Sequence, residues 1–121
     1  MTPDDRPLGD VANRLLFENE LVRVWEMSLA PGERSDRHRH EFPYLLCVVE
    51  GSQVDAEIEG VGRVEIPVQP GSVFFVPSGA TETAINASSQ PFREILIELK
   101  EGMSSGLELA TANIPSPMAR V

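Results

Sequence analysis

Apolar residues in this chain recur mostly at every second position or in short runs, with turn residues between them every eight to twelve positions, the pattern of short β-strands rather than helices. The stretch "LVRVWEMSLAPG" sets Leu21, Arg23, Trp25, Met27 and Leu29 on one face against Val22, Val24, Glu26 and Ser28, and stops at the turn dipeptide Pro31-Gly32. "YLLCVVEGS" reads as a buried strand ended by Gly51, and "VDAEIEGVGRVEIPV" as a hairpin around Gly60 to Gly62. Further strands follow at Val73 to Val76, at Thr81 to Ile85 and in "PFREILIELKEG". No stretch before residue 100 keeps a helical period over three turns. Eight or nine short strands in so small a unit predict an all-β barrel or sandwich. The last residues, 101–121, have little periodicity and read either as frayed peptide or as a strap on a partner subunit.

A length of 121 residues suits a single domain, with the barrel over about residues 14–100. The apolar content of 41% supports a core, and the longest apolar run, Tyr44 to Val49, is too short to cross a bilayer. No export signal is readable in "MTPDDRPLGD", so a cytoplasmic location is expected. The single cysteine, Cys47, lies in an apolar setting and reads as an inert core thiol. Nineteen acidic residues against 10 basic ones give a net charge of -9, the wrong sign for nucleic acid or an anionic membrane. Arg34, Arg37 and Arg39 form a small positive cluster, read as a solvated face paired with Asp36 and Glu41, with attraction of an anionic substrate as the sharper alternative.

Both histidines lie in "GERSDRHRHEFPY". On a strand His38 and His40 point to the same face, about one side chain apart, as two ligands of one metal would, with Arg34 and Asp36 on that face too. His-x-His alone is a weak signal, because histidine is often a surface or structural residue, and spacing does not identify a third ligand. Phe74, Phe75, Trp25, Met27 and Leu96 are read as core rather than substrate wall.

The surrounding residues resemble the cupins. Gly32, His38, His40 and Gly51 match the family's first motif, with Tyr44 where a glutamate would stand; Gly71, Pro77, Gly79 and Asn86 match the second, with Glu82 where a histidine would stand. The resemblance covers about Gly32 to Asn86. It implies an antiparallel double-stranded β-helix, the jelly-roll barrel, with metal ligands pointing into its open mouth. More faintly, "LLFENELVRVWEMSLAPGE" is similar to cupins labelled for β-alanine or other small-acid breakdown, a label that fixes no reaction.

Two departures from the family pattern suggest a metal-free barrel, but a charge count argues otherwise: the carboxylate missing from the first motif reappears in the second. His38, His40 and Glu82 then form a two-histidine, one-carboxylate set suited to a divalent transition metal, Fe(II) first and Zn, Mn or Ni as alternatives. Tyr44 is read as the proton donor beside that set rather than as a phenolate ligand; Glu41 is the reserve ligand, on the wrong face unless the chain bulges at Pro43. The expected function is a metal-dependent enzyme of dioxygenase type, with isomerase or lyase chemistry open, acting on a small molecule, an anion or a carbonyl compound. The alternatives are metal-free binding or sensing, or a structural role. A C2 homodimer is the expected assembly, with neither nucleic acid nor membrane as partner.

Overall fold

The computed structural model describes residues 8–100; the 101–121 segment lies outside them. Nine strands form: β1 (Arg14–Glu18), β2 (Val22–Leu29), β3 (His38–Arg39), β4 (Tyr44–Glu50), β5 (Gln53–Ile58), β6 (Gly62–Pro67), β7 (Val73–Val76), β8 (Thr81–Ile85) and β9 (Phe92–Leu99). They make a five-stranded sheet in the order β1-β2-β9-β4-β7 and a four-stranded sheet in the order β3-β8-β5-β6. Every pairing between them is antiparallel. Among the described residues no helix is long and apolar enough to cross a membrane.

The alternation along β2 places Met27 and Leu29 inside, where they meet Val48, Phe92 and Leu96 in one apolar cluster between the sheets. β7 and β8 fall where their Pro-Gly and Pro-x-Gly turns predict, Val73–Val76 and Thr81–Ile85. β1 was not read as a separate strand, and all five of its residues are exposed, because it is an edge strand with β2 as its one neighbour.

Two expectations fail here. Phe74 and Phe75 are not core: they are 37% and 56% exposed, since β7 is the other edge of the five-stranded sheet. The histidine segment is not one continuous strand either. Arg34 and Asp36 are exposed while His38 and His40 are buried, so the two-residue alternation begins only at His38.

Gly51, which ends β4, has φ +128, and a Cβ there would sit 2.8 Å from Phe92 Cδ1 and 3.3 Å from its Cα. Side chains rarely adopt that backbone, and Phe92 is 1% exposed with no room to retreat. Gly51→Ala is therefore expected to cost about 2–3 kcal/mol, read as a lower midpoint in urea with an unchanged slope; an unchanged midpoint would contradict the packing described.

Candidate metal centre and cavity

β3 and β8 bring the two motifs together. His38 is paired directly with Glu82 across the strands, and Arg39 with Thr81. Beyond β3, the His40 N–H donates to the Ala80 carbonyl at 3.1 Å, and the Gly79 N–H donates back to the His40 carbonyl at 2.8 Å. This ladder holds both imidazoles on the inner side, where each is 1% exposed. Their Nε2 atoms lie 3.8 Å (His38) and 3.2 Å (His40) from Glu82 Oε1, and one ligand atom from each of the three residues falls within 4.8 Å of the others.

The donor set fits a transition metal. Ligand bonds of about 2.0–2.2 Å put neighbouring donors roughly 3–3.5 Å apart, near the two histidine–Glu82 distances of 3.8 and 3.2 Å. His38 Nδ1 lies 2.8 Å from the Asp36 carbonyl, which can only accept, so in the neutral ring Nδ1 carries the hydrogen and Nε2 offers its lone pair to the cavity. Neither ring nitrogen of His40 has a hydrogen-bond partner although both are buried. An unsatisfied buried imidazole is costly, and coordination removes that cost.

Burial pushes the Glu82 carboxyl up, but the imidazoles of His38 and His40 outweigh it and hold the group at about 2, so Glu82 is ionised at neutral pH. Tyr44, at the start of β4, stacks on His40 with ring centroids 4.0 Å apart and makes a long hydrogen bond to Glu82 Oε1, at 3.4 Å. Burial first, then the charge of Glu82, raises its phenol well above the usual range, which keeps Tyr44 a neutral donor. Glu41 is exposed and lines a separate surface hollow beside Arg39; it does not join the cluster. Arg34 pairs with Glu57 at 3.5 Å and Arg37 with Glu59 at 3.0 Å, because β8 places β5 and its turn opposite this segment.

The cluster opens on a cavity of about 270 Å³ between the sheets, lined by Met27, Leu46, Val54, Ile66 and Leu96 among others. Its existence has a sequence cause, since the next inward rung beyond the Ile58–Glu82 pair is small: Ala56 and Ala84 face each other across β5 and β8 and both line the space. Met27 and Leu96 are thus core and wall at once, and the exposed Phe74 and Phe75 contribute to the wall too.

Glu94 was missed by the sequence reading. Glu94, on β9, is 2% exposed, lines the cavity, and its Oε2 has no hydrogen-bond partner. Burial, and then the charge of Glu82, raises its carboxyl to about 8, so it keeps its proton at neutral pH. No signal in the sequence singled it out: Phe92, Glu94, Leu96 and Glu98 share one face of β9 and all four are buried, but the opposite face, with Ile95, Ile97 and Leu99, is as apolar. Glu98 is already engaged, accepting from Trp25 Nε1 at 2.6 Å with Arg23 at 3.6 Å. Cys47, partly buried, has its thiol raised by burial and then by Glu94, consistent with an unreactive residue.

Glu94 gives a pH prediction. Its folded value, about 8, is above the ordinary carboxylate range, so the folded state holds a proton that the unfolded chain releases. Stability is then highest below the ordinary range, falls as pH rises towards about 8 at up to about 1.4 kcal/mol per pH unit, and levels off above. In metal-free protein Glu94→Gln removes this titration, and thermal melts are expected to show it raising the melting temperature more at pH 8 than at pH 5. Equal effects at both pH values would contradict the assignment.

Residues 25–98 match the family described as the cupin domain. Among solved structures, a cupin domain from Bordetella pertussis Tohama I is 26% identical, with 76% of this chain and 99% of that one covered and a TM-score of 0.65. An RmlC-like cupin from Methanocaldococcus jannaschii with a double-stranded β-helix fold is 15% identical over 88% of this chain and 92% of its own, with a TM-score of 0.64. A salicylate 1,2-dioxygenase from Pseudaminobacter salicylatoxidans is 23% identical, with 64% of this chain but 22% of that one covered and a TM-score of 0.52. None of these three is named for β-alanine breakdown. No curated protein sequence matches the chain.

Proposed function

The chain belongs to the cupin family, and from that premise we propose that it is a metal-dependent enzyme of dioxygenase type acting on a small molecule. The observation that carries this reading is the meeting of His38, His40 and Glu82 at one end of a closed-in apolar cavity. These three residues would hold the ion, with Fe(II) favoured because two imidazoles and one carboxylate leave positions open, and with Zn, Mn or Ni as other candidates. When bound, such an ion supplies Lewis acidity and, as iron, electron transfer to dioxygen. The chain's own residues do the rest. Glu82 balances the ion's charge, the apolar walls exclude water, and Tyr44, as a neutral phenol, offers its hydroxyl to the ligand as a hydrogen-bond donor.

No lysine or arginine lines the cavity among the described residues, so an anionic group on the substrate would sit at the ion rather than deeper in. The salicylate dioxygenase, of like fold, makes a small aromatic acid a sensible first candidate. We take the protein to be one cytoplasmic domain that pairs as a homodimer. A second reading, a metal-free binding or sensing cupin, draws on the contacts that Glu82 already has with Tyr44 and both histidines.

Oxygen uptake tests the reaction class. Fe(II)-loaded protein, offered salicylate and a set of small hydroxy and oxo acids, is expected to consume dioxygen with at least one of them, and Glu82→Ala to abolish it. Iron-loaded protein that consumes none across the set would overturn the dioxygenase assignment.

A further inference from the structure

The cavity has a second polar end. Along β4 and β9 the inward residues pair in successive rungs: Tyr44 with Glu98, Leu46 with Leu96, and Val48 with Glu94. Tyr44 marks the His38–His40–Glu82 end. Glu94 lies four β4 residues further in, about 13 Å along the strand at the backbone, with the Leu46–Leu96 rung between. On its other side Glu94 is paired with Met27 of β2, which offers it no hydrogen bond. It is 2% exposed, and its Oε2 is left without a partner. A buried carboxyl oxygen in that position is a costly feature for a cavity wall to keep unless something in the cavity pairs with it.

The charges around it narrow the chemistry. The acidic groups that share the cavity with Glu94 are Glu82, held among the histidines, and Asp55, which takes two hydrogen bonds from Arg63 at 3.0 and 2.8 Å. With no cation lining the space among the described residues, a second negative charge deep in it would be uncompensated. A group that accepts a hydrogen bond without bringing charge, a carbonyl oxygen, matches a carboxyl that still owns its proton.

We propose that Glu94 is a specificity residue whose carboxyl donates a hydrogen bond to the neutral carbonyl oxygen of an elongated, mostly apolar ligand, the other end of which reaches His38, His40 and Glu82. The ligand class is an oxo acid or similar compound: one acidic end, an apolar middle matching the Leu46–Leu96 rung, and an uncharged carbonyl at the far end. The assignment of the near end rests on the metal reading above; the Glu94 contact does not.

The test uses 5-oxohexanoate and hexanoate, which differ by one carbonyl, titrated by calorimetry into Zn(II)-loaded protein. The oxo acid is expected to bind about tenfold more tightly than hexanoate. That ratio should fall to near one in Glu94→Leu and survive in Glu94→Gln, whose amide still donates, with zinc content unchanged in both variants. Equal binding of the two acids, binding of neither, or a ratio unchanged in Glu94→Leu would overturn the proposal. The neutral ketone 2-hexanone, titrated into metal-free protein, separates the two readings. If its binding depends on Glu94 in protein that takes up no metal, the metal centre is wrong and the Glu94 contact stands.

Discussion

His38→Ala is expected to yield folded protein that purifies without transition metal and takes up added Fe(II) or Zn(II) at least about 100-fold more weakly than the native chain. The side chain is placed for coordination by its own backbone: the Asp36 carbonyl takes Nδ1 at 2.8 Å, leaving Nε2 facing Glu82 at 3.8 Å. Removing it leaves two donors, too few for a stable site. Glu82→Ala should weaken binding strongly as well, since the ion loses its one negative ligand. Tyr44→Phe should do far less, about tenfold or under, because the phenol keeps its proton, its hydroxyl makes one long bond to Glu82, and phenylalanine keeps the ring that stacks on His40. Metal titrations of the three variants, with circular dichroism to show that each is folded, check this ranking. Metal kept in Glu82→Ala but lost in Tyr44→Phe would mean that the roles of carboxylate and phenol are reversed.

Asn86→Ala is expected to unfold the chain more readily by about 3 kcal/mol or more, without touching the metal site of the protein that remains folded. Asn86 is fully buried. Its Nδ2 donates to the Leu29 carbonyl at 2.9 Å and the Gln90 carbonyl at 2.7 Å, and its Oδ1 accepts from the Ser88 N–H at 3.0 Å and Oγ at 2.8 Å. One side chain thus ties the end of β2 to the loop between β8 and β9. Truncation strands the buried Leu29 carbonyl at about 1–3 kcal/mol and removes three further, part-buried hydrogen bonds. A loss of 3 kcal/mol corresponds to a melting temperature lower by about 12 °C or more for a domain of this size. Asn86→Asp should also destabilise, since it keeps the acceptor and loses both donors. A melting temperature within a few degrees of native for Asn86→Ala would show that the network carries little.

These two residues mark what the sequence made legible and what it did not. Asn86 and the glycines are recognisable from motif spacing because turns and buried networks demand particular residue types at particular offsets. The strands β7 and β8 were readable for the same reason, being bracketed by Pro-Gly signals. That His38 and His40 share a face followed from alternation, and their inward pointing from the cupin resemblance, but their isolation from Arg34 and Asp36 followed from neither. That isolation depends on hydrogen bonds to Ala80 and Asp36 that only the folded chain brings into reach. Glu94 was hidden for another reason. In "FREILIEL" apolar residues occupy both faces, so the pattern alone leaves open which face is inside, and a carboxylate is assigned to solvent by default. The central place of β9, hydrogen-bonded to β2 on one side and β4 on the other, decides it. The exposure of Phe74 and Phe75 likewise depends on strand order, which no local pattern contains.

The most direct test of the metal centre is elemental analysis of the protein purified without an affinity tag. Near-stoichiometric transition metal, lost in His38→Ala, is the predicted result. Protein that carries no metal and takes up none of Fe(II), Mn(II), Ni(II) or Zn(II) when they are added would contradict it, and would leave His38, His40 and Glu82 lining a binding barrel without metal chemistry.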